Sequence, residues 1–217
     1  MLMRRMAVAA VVVAGLAWGA RAHAATPMEL VQQALRVQAQ VRDYTANVTV
    51  TVSAPNVQVP ARTVKVYYKA PDKLRVDSEG LVILPRDALL MGNLAEHLES
   101  NTQASLVGTG TLSGRPVACI KLTPLDAGPG SGRLLCWIDT QYYLLLKSEV
   151  WDATSSAMTI TFSYTRVQSA YWMPRTITCV FAARLLDSSG EQAQASISFA
   201  NYQVNTGLSD SIFEDEG

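Results

Sequence analysis

The sequence predicts a mainly β protein: one curved antiparallel sheet of about ten strands, preceded by an amphipathic helix and interrupted by a short helical insert. Three observations predict this class. Apolar and polar residues alternate with period two in run after run between residues 43 and 204, with turn residues between nearly all of them. Helical periodicity is confined to residues 26–41 and 80–100. No internal repeat or interdomain linker divides the 217 residues, a length that suits one domain with a sizeable core.

The first residues read as an export signal. Arg4 and Arg5 supply positive charge, residues 6–20 are almost wholly apolar, and Ala22-His23-Ala24 has the A-x-A form of a cleavage site. An apolar run of about fifteen residues is shorter than the ~20 that a spanning helix needs. The expected organisation is therefore a signal peptide at 1–24 and a single domain at 25–217, soluble after cleavage. No cysteine stands near the cleavage site to carry a lipid.

After cleavage, Thr26-Pro27-Met28-Glu29 forms a capping box with proline at the first helical position. The helix is expected to run to about Val41, with Leu30, Ala34, Val37 and Val41 on one face and Val31 and Leu35 widening it. From Asp43 the period becomes two. Val48, Val50 and Val52 alternate with threonines, then Val64, Val66 and Tyr68 alternate with Lys65, Tyr67 and Lys69. Ala70-Pro71-Asp72 turns the chain into Leu74 and Val76. Three such strands make an antiparallel meander with one apolar and one solvated face. Further strands are expected at 104–112, 117–122, 134–139, 142–151, 158–167, 175–182 and 192–204.

The insert at 80–100 separates the two groups of strands. Pro85 suits a first helical turn, and Leu90, Leu94 and Leu98 recur every fourth residue with Met91 beside them. Gly92-Asn93 weakens its middle, so two short helices can replace one. Such a stripe either plugs one face of the sheet permanently or covers it as a displaceable lid.

Composition excludes several functions. Removing Arg4, Arg5 and Arg21 takes the formal charge from zero to −3, and the chain has no basic run. Nucleic acid and anionic membrane surfaces are poor partners for such a chain. Cys119, Cys136 and Cys179 are odd in number, so at least one is unpaired. Cys119 and Cys136 flank a hairpin loop symmetrically, where a cross-strand disulfide is one reading and small buried hydrophobes the other. His97 is the only histidine beyond the signal, and no C-x-x-C occurs. A metal site, a cofactor and a Ser-His or Cys-His nucleophile are all unexpected. The glycine-rich stretches at 108–110 and 128–132 do not open a helix after a strand, so neither is a phosphate cradle.

The order of elements carries a family resemblance. An amphipathic helix and a Thr/Val-rich strand precede Val66-Tyr67-Tyr68-Lys69-Ala70-Pro71-Asp72-Lys73-Leu74-Arg75, and later come Trp137-Ile138-Asp139 and Tyr171-Trp172-Met173-Pro174. Together these resemble the outer-membrane lipoprotein-sorting proteins, the superfamily of the periplasmic lipoprotein carrier, over essentially the whole domain. The resemblance implies an unclosed β-barrel of about 10–11 strands, short helices over its mouth and an apolar cavity for lipid acyl chains. It also places Ala70 where the best-known carrier has an arginine that helps hold the lid closed. Lys69, one residue away, belongs to the opposite face.

The expectation for function follows. The chain is a non-catalytic periplasmic carrier, a monomer that holds lipid or lipoprotein acyl chains for transport towards the outer membrane, with inner- and outer-membrane partners. The alternative is an envelope sensor or assembly module of the same fold that binds a partner protein or a lipidated protein. The ligand-binding residues expected are Val48, Val50, Val64, Val66, Tyr68, Leu74 and Val76 on the first strands, Leu90, Met91, Leu94 and Leu98 on the lid, and Trp137, Phe162 and Trp172 on later strands.

Overall fold

The computed structural model describes residues 25–54, 57–77, 102–125, 132–152, 155–182 and 193–214. The helical insert at 80–100 lies outside these residues, as do His97 and the export signal. Helix α1 spans Pro27–Gln38, and its start follows the sequence: the Glu29 N–H donates to Thr26 Oγ1 at 3.2 Å, and the Thr26 N–H to Glu29 Oε2 at 2.7 Å. Its end corrects the expectation. The helix stops at Gln38, short of Val41, because the next residues are held by the far end of the chain. Asn205 donates to the Gln40 carbonyl at 2.9 Å and accepts the Arg42 N–H at 2.7 Å.

Ten strands follow: β1 Asp43–Ala54, β2 Val57–Lys69, β3 Lys73–Asp77, β4 Thr102–Leu112, β5 Arg115–Pro124, β6 Arg133–Asp139, β7 Leu145–Trp151, β8 Ser156–Val167, β9 Tyr171–Phe181 and β10 Ala193–Val204. A 3-10 helix at Asp210–Phe213 ends the described chain. All neighbours are antiparallel, in the order β3-β2-β1-β10-β9-β8-β7-β6-β5-β4. The sheet is thus two meanders, β1–β3 and β4–β10, joined where β1 pairs with β10. It is not closed into a barrel. Residues 78–101 connect β3 to β4, its two edge strands.

Two of the later strands start three or more residues from where the sequence reading puts them. Residues 142–144 precede β7 and do not begin it, because Tyr143 takes a left-handed backbone conformation (φ 56°) after the turn that Asp139 organises. Tyr171-Trp172-Met173-Pro174 belongs to β9, where it pairs with the end of β8.

Register separates the two faces of the sheet. One row crosses eight strands through Val52, Ala195, Cys179, Ile160, Ser148, Cys136, Ile120 and Leu106. The row one residue away reads Thr51, Ser196, Thr178, Thr161, Lys147, Trp137, Cys119 and Gly108. Along these rows the inner face is therefore apolar but for Ser148, and the outer face is mostly polar with Trp137 and Cys119 among its apolar members, as period two dictates. Val31 and Ala34 of α1 join the inner-face core at 0% and 1% exposure. Ile120, Ile138, Ile177 and Ile197 are fully buried there, each contributing about 1.5–3 kcal/mol by leaving water. Val37 lies apart, against a smaller cluster of Val117, Leu144 and Leu146.

The same register decides the cysteines. Cys119 pairs with Trp137 and Ile120 with Cys136, so the two thiols lie one residue out of step and on opposite faces. All three cysteines are free and buried. Burial pushes the Cys136 thiol up to about 12 and the Cys179 thiol up to about 11.

Candidate functional site

The inner face gathers most of the residues expected to meet a ligand. Val48, Val50, Val64, Val66, Tyr68 and Phe162 belong to one core cluster, and the half-buried Leu74 and Val76 pack against it. Their common face follows from cross-strand pairing: Val48 stands opposite Val64, Tyr44 opposite Tyr68, and Tyr68 opposite Leu74. Leu90, Met91, Leu94 and Leu98 lie outside the described residues.

Trp137 and Trp172 do not join this face. Cys136 and Ile138 occupy the inner side of β6, so alternation turns Trp137 outward, with the Lys147 ammonium 4.4 Å from its ring centroid. Met173 is fully buried in the core, and Trp172 beside it packs in the smaller cluster. There the Arg115 guanidinium lies 5.1 Å from the Trp172 ring and 5.3 Å from that of Tyr142.

Aromatic side chains line the face near the β1–β10 seam. Tyr44 lies 5.2 Å from Tyr68 and 5.6 Å from Tyr202, and Tyr202 stacks on Phe199 at 5.9 Å. The Tyr202 hydroxyl donates to the Pro174 carbonyl at 2.8 Å and the Tyr164 hydroxyl to the Leu145 carbonyl at 2.9 Å. Burial raises the pKa of Tyr44, Tyr164 and Tyr202 above 10.0. These phenols stay neutral and present ring surface.

The buried carboxylates are occupied by the fold. Asp43 accepts from the Thr206 N–H at 2.8 Å, the Gly207 N–H at 3.0 Å and the Thr206 hydroxyl at 3.3 Å. Asp139 accepts from Arg115 at 2.8 Å and from the backbone of Gln141 and Tyr142 at 2.7 and 3.2 Å. Each closes a turn. The inner face is lined mainly by hydrocarbon and neutral phenols.

At one end of this face the surface opens into a cleft of about 220 Å³, lined by Thr102, Leu122, Pro124, Gly132, Arg133, Leu134, Val150 and Trp151. Leu122, Leu134 and Val150 form one inner-face row across β5, β6 and β7. Sequence reading missed this site. The signal was available in the inward parity of those three residues, but its use required knowing that β5, β6 and β7 are neighbours in register.

Lys69, beside the Ala70 position, has an outer-face role. Its ammonium donates to the Leu208 carbonyl at 2.7 Å and pairs with Asp210 at 2.6 Å, with Lys73 at 3.1 Å from the same carboxylate. It fastens the C-terminal 3-10 helix to the β2–β3 hairpin.

Comparison with solved structures finds this arrangement, an open antiparallel sheet with an N-terminal helix on its apolar face, in other proteins. An outer membrane lipoprotein-sorting protein domain from Vibrio parahaemolyticus superposes with a TM-score of 0.59 at 15% identity, covering 84% of this chain and 95% of its own. A DUF1329 family protein from Desulfovibrio piger gives 0.61 at 14%, covering 88% and 98%. A LolA superfamily protein from Nitrosomonas europaea gives 0.58 at 12%, covering 88% and 99%. At these identities the likeness is one of fold. Residues 89–217, more than half of the chain, match a family model described as "Uncharacterized protein", and the chain belongs to that family. No curated protein matches.

Proposed function

We propose that this chain is a periplasmic carrier that holds lipid or lipoprotein acyl chains against the inner face of its sheet, without catalysis, on their way to the outer membrane. The observation that carries the reading is the continuous inner face, apolar across eight strands but for Ser148, which opens at one end into the cleft of about 220 Å³. Burying a tail is worth about 0.8 kcal/mol per CH₂, so roughly ten buried methylenes supply the ~8 kcal/mol of a micromolar complex and no reacting group is needed. The shared fold supports the same reading: the Vibrio relative is described as an outer membrane lipoprotein-sorting domain. Among the described residues no helix is long and apolar enough to cross a membrane. The signal-like first 24 residues support export followed by cleavage after Ala24. The test is mass spectrometry of the protein purified from its host. A lipid in stoichiometric amount on a chain beginning at Ala25 is expected. Absence of lipid together with no uptake of an apolar dye overturns the proposal.

One observation favours the second reading, a sensor or assembly module that binds a partner protein. Edge strand β4 is 11 residues long, carries no charge, and exposes Leu106 and Val107 by 53% and 59%. Edges of this kind accept an added strand. The opposite edge, β3, has 5 residues, among them Lys73, Arg75 and Asp77, and the 3-10 helix packs on it. Crosslinking from β4 in cells separates the readings: a sensor captures one protein, a carrier many acylated clients.

A further inference from the structure

The outer face of the β2–β3 hairpin is basic. Cross-strand pairing sets Lys65 opposite Asp77, Tyr67 opposite Arg75 and Lys69 opposite Lys73, while Val66, Tyr68, Leu74 and Val76 take the inner face. Like charges directly opposite each other repel. Here a carboxylate from the far end of the chain relieves them: Asp210 lies 2.6 Å from the Lys69 ammonium and 3.1 Å from that of Lys73. The contact involves more than charge. Lys69 also donates to the Leu208 carbonyl at 2.7 Å, and Arg75 to the Ile212 carbonyl at 2.8 Å. Three side chains of the hairpin thus hold one carboxylate and two main-chain carbonyls of residues 208–212. That is the set of groups a peptide offers, and a lipid headgroup has no such run of main-chain carbonyls. Lys65 is left over: its ammonium lies 5.1 Å from the Tyr67 ring centroid and has no acidic partner among the described residues.

We propose that this surface docks a short acidic segment of a partner protein, and that residues 208–213 occupy it as a tethered stand-in. Charge complementarity is the first support. The segment brings Asp210 to the lysines, and the sequence places Glu214, Asp215 and Glu216 directly after it. The second support is how lightly the stand-in sits. Its 3-10 helix has no buried residue, and the side chain of Asp210 is 58% exposed. Exposed ion pairs are weak and are screened by salt. Attachment does the rest. Asp43 anchors the chain at Thr206 and Gly207, so the segment just beyond meets the hairpin at an effective concentration on the order of millimolar. A partner that offers the same carboxylate and binds more tightly than this displaces the segment, and the turn at Asp43 stays in place. Acyl chains are assigned to the opposite face of the sheet, so the proposal is independent of the carrier reading.

The test titrates the full-length domain with two synthetic peptides and follows the amide chemical shifts of residues 65–77. One peptide has the natural sequence of residues 208–214, and the other carries Asp210→Asn. A domain carrying Asp210→Asn, whose own segment is loosened, should bind the natural peptide about tenfold more tightly than the wild-type domain does, the ratio expected for one lost charge-assisted contact. The Asn peptide should bind that domain about tenfold more weakly than the natural one. Adding Lys69→Gln to Asp210→Asn should abolish the shifts, and high salt should weaken the natural peptide more than the Asn peptide. Uptake of an apolar dye at the inner face should be the same in every variant, which keeps failure here distinct from failure of the carrier reading. The proposal is overturned if the Asp210→Asn domain shows no shifts at residues 65–77, or if the two peptides bind equally. Equal binding of the natural peptide by the wild-type and Asp210→Asn domains also overturns it. So does binding of the Asp210→Asn domain to phosphatidylglycerol vesicles with no response to either peptide, which assigns the surface to a membrane.

Discussion

Asp43 shows how much one side chain can hold in this fold. It is 5% exposed and its carboxylate closes the turn after β10 through Thr206 and Gly207, while Asn205 ties the same turn to the end of α1. Asp43→Ala leaves two N–H groups without their acceptor. A loss of about 2 kcal/mol is expected in urea unfolding, with Asp43→Asn intermediate because one carbonyl oxygen remains. The cysteines make a second prediction at this scale. All three are free, and Cys136 and Cys179 titrate near 12 and 11, so almost no thiolate exists at pH 8. Alkylation by iodoacetamide should be negligible in the native protein and reach three thiols per chain only after unfolding. The two sites differ in legibility. A cysteine in an alternating strand reads as a small hydrophobe from sequence alone. Asp43 does not read as a turn clamp, because its partners lie more than 160 residues away.

At the scale of elements, α1 was legible to the residue at its start and not at its end. A capping box is local chemistry between Thr26 and Glu29, whereas the stop at Gln38 depends on Asn205. Thr26→Ala should therefore cost about 1 kcal/mol, read as a shift of the urea midpoint without a change in slope. The 3-10 helix is fastened differently. Hydrogen bonds from Lys69 and Lys73 lower the pKa of Asp210 below 3.8. A lowered folded-state pKa means that docking is fully favoured above 3.8 and is lost as pH falls through the lower folded value. Amide exchange within residues 208–213 should accelerate as pH is lowered below 3.8, after correction for intrinsic rates. Asp210→Asn should show the same acceleration at neutral pH with the melting temperature unchanged. The lysines that receive the tail sit on the β2–β3 hairpin, Lys69 lying 139 residues before Leu208, so no local pattern in the sequence links them to it.

For the whole molecule, burial of weak acids on one face makes stability depend on alkaline pH. Cys136 and Cys179 rise from 9.0 to about 12 and 11, and Tyr44, Tyr164 and Tyr202 rise above 10.0. Raised folded-state values contribute stability that is complete below pH 9 and lost as pH climbs through 11 and 12. Circular dichroism should show a cooperative alkaline unfolding in that window, at a pH where an ordinary surface group has already titrated. The sequence by itself determined the mainly β class, the period-two strands, the helix cap and the apolar character of Val48, Val64, Val66 and Phe162, because propensity and alternation act between residues a few positions apart. Tertiary structure alone decided that Trp137 faces outward, that Cys119 and Cys136 miss each other by one residue, and that Leu122, Leu134, Val150 and Arg133 meet at a cleft. Those outcomes depend on which strands neighbour one another and in what register, and a shift of one residue exchanges the two faces of a sheet.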